Sequence, residues 1–99
     1  MKIIKQLVEQ IEDELCGAEE YADLALKHKD TQKSLADTYY RLATQELDHS
    51  ATLHDEAVAQ IQAYTGVVPE AMQAVWDWEH EQAIEREKEI RIALQMYRN

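Results

Sequence analysis

Glu46-Leu47-Asp48-His49 sets a carboxylate and an imidazole three residues apart. On a helix that spacing places both side chains on one face, one turn apart and aimed at a common point. A second carboxylate, Glu14, interrupts an otherwise apolar repeat nearer the N-terminus. Burying an unpaired carboxylate is costly, so such a group reaches water, pairs, or binds a cation. Two carboxylates and a histidine suit a hard or borderline divalent ion such as Fe(II) or Mn(II), with no thiolate in the set. Zinc more often takes additional His or Cys. A further constellation, the D-x-x-H element Asp77-Trp78-Glu79-His80 together with His54, offers two imidazoles and one acid. That weaker set reads first as a structural histidine pair and second as a metal site.

These residues have to be positioned by helices. Ala, Leu, Glu, Gln and Lys dominate the chain, with two Gly, one Pro and no Phe, a mixture that loses little rotamer freedom in helical turns. Two breaks divide it. Lys27-His28-Lys29-Asp30-Thr31 joins a basic last turn to two N-cap candidates. Thr65-Gly66-Val67-Val68-Pro69 offers Gly66 as a C′ cap and Pro69 as a first helical residue. The sequence thus predicts helices over 2–28, 31–65 and 69–97, each about 40 Å long at 1.5 Å per residue. Gly17 falls inside the first and costs roughly 1 kcal/mol relative to Ala, which makes sense if it admits the close approach of a neighbour.

Stripes at steps of three and four give each helix its faces. The first carries Ile4, Leu7, Ile11, Glu14, Ala18, Tyr21, Ala25 and His28. The second carries two adjacent stripes. One is Leu35, Tyr39, Leu42, Glu46, His49, Leu53 and Ala57; the other is Ala43, Leu47, Ala51, His54, Val58 and Ile61. So wide an apolar face predicts a central position for this helix. The third runs Met72, Trp76, His80, Ala83, Glu87, Ile90, Leu94 and Tyr97, with Trp78 pointing elsewhere. The expected fold is all-α, three long amphipathic helices in an antiparallel bundle. So thin a bundle buries little surface by itself, so at least a homodimer is expected.

The heights of the polar residues are informative. In a hairpin turning near Asp30, residues at one level have numbers adding to about 60–62, and Glu14 and Glu46 meet that condition, within about 3 Å. His54 and His80 are level in the same way if the second and third helices turn near Val67. Three ligands are too few for a closed dinuclear site, but a two-fold partner supplies the same three again. The competing reading is a polar layer that sets bundle register without metal, in a structural or adaptor oligomer that docks a client protein through Trp76, Trp78 and the third helix. Glu87 is nearly level with Glu46, yet an i, i+4 pair with Arg91 is its simpler role. Cys16 lies about 160–200° around the helix from Glu14 and is not counted as a ligand.

Asp13-Glu14-Leu15-Cys16-Gly17-Ala18-Glu19-Glu20-Tyr21, followed by Gln45-Glu46-Leu47-Asp48-His49, resembles the ferritin-like superfamily. The rubrerythrin type is similar in general form, and the encapsulated ferritins are closer. In that family a first-helix Glu is followed seven residues later by a Tyr, as Glu14 is by Tyr21, and the second helix supplies E-x-x-H. Glu20 stands where the family tends to carry an aromatic, and Cys16 where it often carries an acid. The resemblance implies iron at Glu14, Glu46 and His49, a di-iron site shared between subunits, ferroxidase activity, and Tyr21 behind the ligands as a catalytic residue orienting a carboxylate. Manganese and zinc rank behind iron.

Charge narrows the partners. Twenty acids against ten bases give a net charge of −10. With no Lys/Arg stripe for phosphates, neither nucleic acid nor an anionic membrane surface is an expected partner. Such a surface favours cations, although its plainest role is solubility. A lone cysteine excludes an internal disulfide and suits a reducing compartment. Charge returns early in Met1-Lys2-Ile3-Ile4-Lys5-Gln6, so neither a signal peptide nor a membrane span is expected, and the cytoplasm is the default location.

Overall fold

A computed structural model describes all residues except Met1, Thr65 and Val67. Three helices account for nearly all of it: α1 (Lys2–His28), α2 (Lys33–Ala63) and α3 (Glu70–Arg98). No strand occurs among the described residues, and no helix there is long and apolar enough to cross a membrane. The bundle is a rod of 55 × 17 × 16 Å.

The helix boundaries depart from expectation at both connections. Neither Asp30 nor Thr31 caps α2. The N–H of Lys29 donates to the Leu26 carbonyl, and those of Thr31 and Gln32 donate to that of His28. These residues are spent satisfying the orphan carbonyls at the end of α1, and α2 starts at Lys33, with Gln32 in the N-cap position and no side-chain cap. At the other connection Tyr64, in extended backbone, ends α2 by donating its N–H to Ile61 O. Because the helix stops before Gly66, that glycine is not its C′ residue, and no described glycine has positive φ. Thr65, expected as the last residue of the helix, and Val67, expected at the turn, lie outside the described residues. Pro69 is the N-cap of α3 rather than its first residue; its carbonyl accepts from Met72 and Gln73 at 3.0 Å.

Small residues bring α1 and α2 together. Ala18 and Ala43 share the main core cluster with Ile11, Leu15, Ala22, Leu47, Ile90 and Leu94. Ala25 and Ala36 meet under Tyr97 toward the first turn, and Ile4, Leu7 and Ala57 meet Trp76 at the far end. These pairs obey the level rule of the hairpin, so Glu14 and Glu46 are held at one height. Ser50, buried at 5% exposure, donates its hydroxyl to Leu47 O and needs no partner across the core.

The central helix is α1, not α2. α3 packs chiefly along α1 and meets α2 at few positions. Ile90 and Leu94 settle over the seam of Leu15, Ala18, Ala22 and Leu47. The second stripe of α2, with Ala43 and Leu47, faces this core. The first stripe is left half-buried at Leu35, Tyr39, Leu42, Glu46 and Leu53, on a face that α3 does not cover. α1 and α3 run parallel with an offset of 67 residues, which sets Glu19 beside Arg86 and Lys29 beside Met96.

Candidate metal centre

Glu14 projects from the middle of α1, and Glu46 and His49 project from one face of α2. Ligand atoms of the three lie within 4.8 Å of one another, the one group of three or more such side chains among the described residues that is close enough to hold an ion. His49 Nδ1 is 3.4 Å from Glu14 Oε2. That oxygen is buried and has no hydrogen-bond partner, so the imidazole does not satisfy it at this distance. An orphaned buried carboxylate oxygen is a costly feature in an apolar surrounding.

The two carboxyls crowd one another. Glu46 is pushed above its ordinary 4.5 by a hydrogen bond to Glu14, by burial, and by repulsion from Glu14, with His49 only partly opposing this. Two acids at one height repel unless a proton or a cation stands between them. Gly17 creates the room: a Cβ at this position would stand 3.0 Å from Glu46 Oε2. The expected close approach at this glycine is thus made by the carboxylate arm of Glu46.

The centre opens outward. The side chain of His49 is 60% exposed and that of Glu14 27%. Tyr21 is half-buried two turns along α1 from Glu14, where its ring stacks on Tyr39 at 6.0 Å. Tyr39 in turn neighbours His28 at 6.1 Å. The tyrosine therefore stands behind the carboxylates toward the first turn, packed in an aromatic row.

The other candidates fall elsewhere. His54 and His80 do meet, Nε2 to Nε2 at 3.0 Å, but Asp77 does not join them in a group that could hold an ion; it is exposed and accepts a hydrogen bond from Gln73. Glu87 accepts two hydrogen bonds from Arg91, as the i, i+4 spacing predicts. Cys16 lies on the α3 side, where its Sγ accepts from Arg86 Nη2 at 2.9 Å, so it is no ligand of this group.

One charged pair was not legible in the sequence. Glu12 on α1 faces Glu79 on α3, and Glu12 is pushed up to about 7, first by a hydrogen bond to Glu79 and then by burial and repulsion. Only the parallel 67-residue offset of α1 and α3 brings these acids together, and that offset has no sequence signal.

Comparison with protein-family models, with curated proteins and with solved structures gives no match.

Proposed function

We propose that this chain is a ferritin-like iron-binding protein in which Glu14, Glu46 and His49 hold Fe(II) at a site completed by a second copy of the chain, with oxidation of that iron as its activity. The observation that carries this reading is the convergence of two level-matched carboxylates and an imidazole around a buried, unpartnered oxygen of Glu14. The donor set fits: oxygen and imidazole ligands suit Fe(II) or Mn(II), and a cation there would offset the repulsion between Glu14 and Glu46.

Glu14, Glu46 and His49 would hold the ion, and Tyr21, two turns along α1 behind them, would orient a carboxylate. Bound iron supplies one-electron chemistry toward oxygen or peroxide; the chain's part is to bind, to orient, and to limit water on the core side of the site. Two further observations favour a partner copy. The site lies on the face of α1 and α2 that α3 leaves uncovered, among half-buried Tyr39, Leu42 and Leu53. The chain also exposes 6707 Å², where a compact monomer of this mass exposes about 5800 Å².

A metal-free register layer is the second reading. It is favoured by the hydrogen bond between Glu46 and Glu14, which already eases their repulsion, and by Trp78 and Val75, each 60% exposed on α3 and available to a client protein. Titrating metal-stripped protein with Fe(II) under nitrogen separates the two. After desalting, elemental analysis should find about one iron per chain, lost in Glu14→Ala and in His49→Ala. Fe(II) should also raise the melting temperature, as any ligand of the folded state must. No retained iron, or retention unchanged in both variants, would leave the register layer as the account.

A further inference from the structure

Away from the Glu14 group, His54 on α2 and His80 on α3 bring their Nε2 atoms to 3.0 Å, with ring centroids 4.8 Å apart. Trp76 flanks both rings, 5.7 Å from His80 and nearly parallel to it at 15°, and 5.8 Å from His54. His54 Nδ1 faces Asp55 Oδ1 at 3.7 Å. The pair stands between two cavities. One, of about 90 Å³, has Glu12, Glu79 and Arg86 in its wall. The other, of about 170 Å³, has Ser50, Asp55 and Glu87.

We propose that His54 and His80 form a two-imidazole clip for a borderline transition-metal ion of the zinc class, tying α2 to α3. Two nitrogens bound to one such ion at about 2.0–2.1 Å stand about 3.3–3.4 Å apart at a tetrahedral angle, so this pair, at 3.0 Å, has only to open slightly to take an ion. The same separation suits a hydrogen bond between imidazoles, so distance does not decide alone. Two other features favour the ion. Trp76 holds both rings in place, so little side-chain freedom is lost when a ligand arrives. Carboxylates line both cavities and give the ion a negative field, while Arg86 is engaged by Glu19 and Cys16.

The clip also meets a mechanical need. α2 and α3 touch at few other positions, and a metal bridge adds binding free energy directly to the docking of α3. Imidazole ligands without thiolate suit Zn, Cu or Ni, a preference distinct from that of the carboxylate-rich group. The two sites are separate: His49 precedes His54 by about 7 Å of helix axis.

The test is calorimetric titration of the full chain with Zn(II) chloride in a His49→Ala background, where the Glu14 group is disabled. One Zn(II) should bind per chain, raise the melting temperature, and bind at least tenfold more weakly after either His54→Gln or His80→Gln. Should those variants lose helicity, the Cε1–H resonances of His54 and His80 in the His49→Ala protein carry the same test: both should move together up to one equivalent of Zn(II). Absence of binding, binding indifferent to the glutamine variants, or a response confined to one of the two histidines would overturn the clip.

Discussion

Gly17 is the neighbour that makes room for Glu46: a single methyl at position 17 would stand 3.0 Å from the Glu46 carboxylate oxygen. Its backbone is ordinary helix, since no described glycine has positive φ, so the glycine is there for space and not for conformation. The contact is with the end of a flexible side chain, which can swing aside. Gly17→Ala should therefore stabilise α1, by up to about 1 kcal/mol, while pushing the Glu46 carboxylate out of register with Glu14 and His49. The expected result is a higher melting temperature with Fe(II) retention reduced at least tenfold. Full retention in the alanine variant would mean that the glycine serves only helix packing.

Glu12 and Glu79 should make the apo protein less stable as pH rises. Glu12 titrates near 7 in the folded chain against an ordinary 4.5, so between these values the folded state holds more protons than the unfolded one. The sign follows: stability from this group is fully present below about pH 4.5 and is lost as pH rises through about 7. Glu12→Gln should remove that loss. Allowing for solvent screening at this partly exposed position, a gain of about 2–4 °C in melting temperature is expected at pH 8 and almost none at pH 4. Equal shifts at both pH values would show that the pair is not the cause.

Leu15 is the large side chain most completely enclosed, at 2% exposure, among Ala18, Ala43, Leu47 and Ile90. Leu15→Ala should cost about 2–5 kcal/mol through lost transfer energy and the cavity left behind. Ile92, 57% exposed on α3, should tolerate alanine within about 0.5 kcal/mol. Chemical denaturation of the two variants checks the placement of the core: similar losses would contradict the packing of α3 described above.

The sequence by itself determined the helices and their levels. Alanine-rich, glycine-poor composition and steps of three and four are local properties, and a helix has one rise per residue. Counting from a turn therefore places Glu14 opposite Glu46, and His54 opposite His80, without any knowledge of packing. His49 follows from Glu46 by spacing alone. The caps expected at Asp30 and Gly66 do not form, because the backbone of Lys29, Thr31 and Gln32 turns against the last carbonyls of α1 and α2 ends at Tyr64, before the glycine.

Only the tertiary structure decided which face looks where. Both stripes of α2 are apolar enough to be buried, and the choice between them depends on where α3 settles, which is a contest of side-chain volumes over a seam. Once Ile90 and Leu94 lie on α1, the Glu46 stripe is left facing outward, and the Glu14 group opens on that face. The 67-residue offset of α1 and α3, and with it the facing acids Glu12 and Glu79, arises in the same way. Parallel, non-adjacent helices have no turn between them from which a register can be counted.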